Sequence, residues 1–140
     1  MPTTKHWSVL KKATSGIAFV SWMATVTYLS LATLTNSGGG WLNLNIPHKD
    51  KIAHFIFYFV ATFLGFFFFL GFFDKRNKIL PVLMISLLFA ITYGMVIEIL
   101  QYNFFPNRSG DVYDALANSL GAFAGAVVVK LFFASKSVLK

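Results

Sequence analysis

Residues 52–73 read IAHFIFYFVATFLGFFFFLGFF, from Ile52 to Phe73, and this stretch decides the fold. A helix rises about 1.5 Å per residue, so about 20 apolar residues cross the roughly 30 Å of hydrocarbon in a bilayer. Only His54, near the start, interrupts the run with an imidazole. Apolar side chains cover every face of such a helix, as expected where its solvent is lipid or other helices. Working outward, three more segments have the same character. Ser15–Leu34 carries no charge. Ile79–Gln101 has Pro81 in its first turn, where proline is tolerated, and Glu98 in its last. Val112–Ala134 carries Asp114 and Asn118 early and Lys130 late.

The expected fold class is therefore all-α: an integral membrane bundle of four helices, at about 15–34, 52–73, 79–101 and 112–134. Residues 1–140 form a single membrane domain with no internal repeat. Composition agrees, because 56% hydrophobic and 12% charged residues leave too little polar surface to cover a soluble core. The absence of cysteine excludes disulfides and thiolate metal sites. Lys5, Lys11 and Lys12 before the first span fit a signal peptide. Its apolar stretch is too long for one, and Leu31-Ala32-Thr33-Leu34-Thr35 is a poor cleavage site, so the helix is expected to be retained.

Charge sets the orientation. Of 12 Lys and Arg, nine fall on one side: Lys5, Lys11, Lys12, then Lys75, Arg76, Lys78, then Lys130, Lys136, Lys140. The other side holds Lys49, Lys51 and Arg108. Both termini are thus expected in the cytoplasm, in a bacterial inner membrane. The net charge of +7 then meets anionic lipid rather than nucleic acid. Trp41, Tyr102 and Tyr113 sit at the opposite interface. The Gly-rich segment within Thr35–Lys49 reads either as a lid over the outer face or as a surface linker.

With that topology, three helices deliver their polar groups to one leaflet. Asp50, Lys51 and His54 open the second helix, Glu98 and Gln101 close the third, and Asp111, Asp114 and Asn118 open the fourth, with Arg108 in the loop before it. Each set shares a face with small residues: Asp50, His54, Tyr58, Ala61, Gly65; Ala90, Gly94, Glu98, Gln101; Asp111, Asp114, Asn118, Gly121, Gly125. Gly121 and Gly125 form a GxxxG pair that allows close helix contact. Structural readings compete. Asp50 and Asp111 can be N-caps. Glu98 can pair with Arg108 or Lys51 to fix the bundle, His54 can be a hydrogen-bonded structural group, and Tyr58 and Tyr93 can simply pack. Ionisable groups inside a membrane bundle still point to a functional site. The first helix supplies none of them and reads as peripheral support.

The order Asp50-Lys51-x-x-His54-Phe55, Glu98-x-x-Gln101, Pro106-x-Arg108, Asp111-x-x-Asp114-x-x-x-Asn118-x-x-Gly121 resembles the VanZ-like family of bacterial membrane proteins, over about His48 to Gly125. The family is named for a member associated with reduced susceptibility to teicoplanin, which implies a role in the cell envelope. The residues themselves support three readings. Lys51, His54 and Arg108 could hold a phosphate-bearing envelope lipid or glycan precursor, with His54, Glu98, Asp111 and Asp114 as catalytic candidates. A small transporter would need polar groups lining both halves of the bilayer. A scaffold would use the cluster as bundle glue. No compact metal motif such as HExxH is present, and the residues specify no cofactor.

Overall fold

The computed structural model describes residues 4–32, 48–73, 79–104 and 112–138. Within them lie four helices: α1 (Thr4–Ala32), α2 (Lys49–Leu70), α3 (Ile79–Phe104) and α4 (Val112–Val138). All four are long and apolar enough to cross a membrane. The four expected helices are found, with several ends that differ from the sequence expectation. α1 starts at Thr4 rather than near residue 15, because Lys5, Lys11 and Lys12 forbid burial in lipid without forbidding helix. α3 continues to Phe104, so Glu98 lies almost two turns inside the helix rather than in its last turn. Asp50 is not the N-cap of α2. His48 holds that position in the left-handed region (φ 57°), with no side-chain cap, and Asp50 falls in the first turn. Trp41, Arg108 and Asp111, like the 33–47 loop, lie outside the described residues.

The closest contact joins α2 to α4, which run parallel. A Cβ built on Gly121 would stand 2.1 Å from the Phe55 carbonyl oxygen, and one on Gly125 would stand 2.5 Å from that of Phe59. The two backbones touch at successive turns, a geometry that suits Cα–H···O contacts and that only glycine permits. α3 runs antiparallel beside both. Gly94 faces the Tyr58 ring at 3.1 Å and Asn118 Cβ at 3.2 Å, measured from where its own Cβ would be. Small residues at the crossing points thus fix the register that carries the polar groups.

Below the glycine contacts the core is mainly apolar, with the buried hydroxyls of Thr62 and Ser86 among it. Phe66, Val82, Leu83, Ala126 and Val129 form the deepest cluster, and Val26, Tyr58, Ala90 and Ala122 the middle one. Large apolar side chains such as Leu88, Ile99, Leu120 and Phe123 face outward from the bundle. Such a surface suits lipid and would be a liability in water.

Among the described residues α1 packs on α2 and α3 but not on α4. Phe19 stacks on Phe68 with centroids 5.0 Å apart. The helix is peripheral as expected, yet it supplies more than apolar support. The Trp22 indole donates to the Phe57 carbonyl at 3.0 Å. Thr27 donates to Met23 O at 2.8 Å, so its oxygen accepts from the Tyr93 hydroxyl.

Candidate functional site

The polar end of the bundle is built from the first turns of α2 and α4 and the last two turns of α3. Lys51 and Asp114 meet first: the ammonium lies 3.1 Å from Asp114 Oδ1 and 3.5 Å from Asp50 Oδ2. Asp114 is buried, with 5% of its side chain exposed, whereas Asp50 is 40% exposed. One turn further in, Asn118 Nδ2 donates to Glu98 Oε1 at 3.1 Å. With its NH2 given to the Glu98 oxygen, the amide turns its own oxygen to the other side. That oxygen lies 3.0 Å from His54 Nδ1. Nδ1 therefore carries a proton and donates it to Asn118, and the same nitrogen stands 3.7 Å from Glu98 Oε1. In the neutral ring, Nε2 keeps the lone pair and is the basic atom of the site.

Of the residues singled out from the sequence, Asp50, Lys51, His54, Glu98, Asp114 and Asn118 converge at this end. Gly94 and Gly121 sit at its base, and Gly65 and Gly125 lie deeper, against Phe19 and Phe59. Gln101 is buried but turned away: its amide donates to the Ser30 carbonyl of α1 at 3.0 Å, so it ties helices together. Arg108 and Asp111 cannot be assigned positions, being outside the described residues. Among the described residues no three His, Asp or Glu side chains come close enough to hold a metal ion.

Tyr58 is the residue that sequence reasoning treated as packing and the structure makes conspicuous. α2 contains eight phenylalanines and one tyrosine, and that tyrosine lies one turn below His54. It is fully buried, and among the described residues its hydroxyl has no hydrogen-bond partner; the same holds for Thr62 one turn on. A helical tyrosine points back toward the N-terminus of its helix, here toward the polar end. The signal in the sequence was the lone hydroxyl in a Phe-rich helix. An orphaned buried hydroxyl costs about 1–3 kcal/mol. Tyr58→Phe is therefore expected to leave the melting temperature in detergent unchanged or to raise it. A clear fall would mean that the hydroxyl is hydrogen-bonded.

Charge limits what the site can hold. Its described part sets three carboxylates (Asp50, Glu98, Asp114) against the one ammonium of Lys51. Such a surface offers many acceptors and suits a ligand that brings hydroxyl or amide donors. The VanZ/LLP1 family model matches residues 3–133, a range that includes α1 as well as the polar motifs. No curated protein and no solved structure matches the chain.

Proposed function

This chain belongs to the VanZ/LLP1 family, and on that premise we propose that this multi-pass membrane protein binds or processes the polar head of an envelope lipid or glycan precursor. The polar end faces the outer leaflet of the inner membrane, with both termini in the cytoplasm. The nine-to-three division of basic residues supports that orientation. The observation that carries the reading is the set of buried His54 and Asn118 with half-buried Glu98, beside Lys51–Asp114. Charged groups in a membrane bundle are costly, and here they are gathered from three helices at one end. Lys51, at the mouth beside Asp50 and Asp114, is the described cation that can meet a phosphate. Glu98 accepts from head-group hydroxyls, and His54 Nε2 is the base for any proton transfer. The association of the family's name with teicoplanin fits a precursor of the cell wall as the source of the head group. Transport fits less well, because the deepest buried cluster is Phe66, Val82, Leu83, Ala126 and Val129, which offers no ionisable relay.

Native mass spectrometry of the purified protein tests this. Wild type is expected to retain a phospholipid or polyprenyl phosphate, and Glu98→Gln to lose it at unchanged yield and monodispersity. Equal retention by the variant overturns the reading. Loss of folded protein instead would favour the cluster as bundle glue.

A further inference from the structure

The mouth of the polar end is ordered by burial. Asp50 is 40% exposed, Lys51 25% and Asp114 5%, so the three charges step inward from the interface. The inner carboxylate holds the lysine more closely, at 3.1 Å against 3.5 Å for Asp50. The Tyr113 ring stands 6.0 Å from the same ammonium. Asp114 thus claims most of the lysine's charge, and Asp50 is left at the surface with a long, exposed contact that contributes little. An ionised carboxylate accepts at about four positions, so Asp50 keeps room for a further donor.

A phosphate alone does not suit this mouth. Brought to Lys51, it would be a third anion around one ammonium, and like charges at ion-pair distance repel as strongly as the lysine attracts. The rest of the outer side does not make up the difference. Asp50, Glu98, Asp111 and Asp114 stand there against Lys49, Lys51 and Arg108, whereas the cytoplasmic side sets nine cations against Asp74. A ligand that brings its own cation beside its phosphate removes the conflict. We infer that the head group bound at this end is zwitterionic, with a primary ammonium on Asp50 and the adjoining phosphate on Lys51. The order of depth agrees. An ethanolamine ammonium hangs from its phosphate by a short carbon link on the water side, and Asp50 is the more exposed of the two partners. On the acyl side, Ile52 and Ile56 continue inward along α2, both about half exposed, as a surface for a chain. A primary ammonium also donates charge-assisted hydrogen bonds to the carboxylate, which a quaternary one lacks the protons to do. This inference rests on the reading of the polar end as a head-group site and names the class of head group.

The test exchanges purified full-length protein into detergent micelles holding equal amounts of dioleoyl phosphatidylethanolamine, phosphatidylcholine and phosphatidylglycerol, and reads bound lipid by native mass spectrometry. Wild type is expected to retain phosphatidylethanolamine most, since phosphatidylcholine has no N–H to donate and phosphatidylglycerol has no cation. Asp50→Asn should lower the preference for phosphatidylethanolamine over phosphatidylglycerol about fivefold, the effect of one charge near a membrane surface. Asp50→Glu should restore it. Asp50 is exposed and its ion pair weak, so both variants should melt near wild type. Asp74→Asn removes the carboxylate of the cytoplasmic side and should change nothing. Soluble phosphoethanolamine in excess should leave the lipid in place, because only the lipid has a chain to lay along Ile52 and Ile56. Retention of phosphatidylglycerol or a polyprenyl phosphate at or above phosphatidylethanolamine, lost in Glu98→Gln, would overturn the zwitterion and leave the head-group site standing. Retention of none of these lipids would remove both. An undiminished preference in Asp50→Asn, or an equal change in Asp74→Asn, would overturn the assignment to Asp50. Displacement by soluble phosphoethanolamine would overturn the lipid as its source.

Discussion

A Gly121→Ala chain is expected to lose its four-helix bundle. The added Cβ would stand 2.1 Å from the Phe55 carbonyl oxygen and within 2.9 Å of Phe55 C and Cα. These are backbone atoms of a continuous helix, so no rotamer change relieves the clash and α4 must move away from α2. Overpacking a tight core costs about 1–3 kcal/mol and occasionally more; a backbone-on-backbone contact belongs at the upper end, about 3 kcal/mol. The displacement would also part Asn118 from His54 and Asp114 from Lys51. Gly65→Ala is the matched control. Its Cβ meets only the edge of the Phe19 ring, at 3.1 Å, which can swing aside. Thermal unfolding in detergent, followed by tryptophan fluorescence, should show a large fall for Gly121→Ala and a small one for Gly65→Ala. A Gly121→Ala protein melting within a degree or two of wild type would refute the parallel α2–α4 contact.

Lys51→Met should destabilise nearly as much, for an electrostatic reason. The Asp114 carboxylate is buried, and Lys51 at 3.1 Å is the cation that compensates it. Removing one partner of a fully buried ion pair costs about 3–5 kcal/mol; Lys51 keeps a quarter of its side chain exposed, so the loss here falls at or below the lower end of that range, and neutralising both partners is far milder. Lys51→Met with Asp114→Asn should recover most of the loss. Measured as a double-mutant cycle, the coupling between the two positions should exceed about 1 kcal/mol. Additive effects would show that the pair contributes little and that its role lies in ligand contact alone.

Which parts of this architecture could be read from the chain follows from what each residue type can and cannot do. The spans were legible because crossing lipid demands about 20 apolar residues, and few other structures do. The ends were not. Lys5 and Lys11 prevent burial in hydrocarbon but do not break a helix, so α1 reaches back to Thr4. The polar stripes were legible by spacing, which places residues on a face without saying which face meets which. His54 on Asn118, and Asn118 on Glu98, are contacts between three helices that only packing reveals. Gln101 has a contact that spacing does not reveal, for a related reason. Its partner on α1 is the Ser30 carbonyl, a backbone group that every residue carries, and Trp22 likewise uses the Phe57 carbonyl. Such acceptors leave no trace in a sequence. Glycines are the opposite case, since Gly121 and Gly125 announced a close approach and only its partner helix was missing.

The α2–α4 contact also has a consequence for how the protein is made. Lys51 and Asp114 are 63 residues apart, and His54 and Asn118 are 64 apart. At roughly 5–20 residues per second, the ribosome delivers Asp114 about 3–13 s after Lys51. During that interval α2 enters the bilayer with its lysine and histidine still waiting for their α4 partners, and with its closest neighbour not yet synthesised. The nascent chain must therefore keep α2 near the insertion machinery, or near the interface, until the last helix arrives. A chain truncated before α4 would carry unmatched polar groups in lipid, and membrane quality control would have a ready signal for its removal.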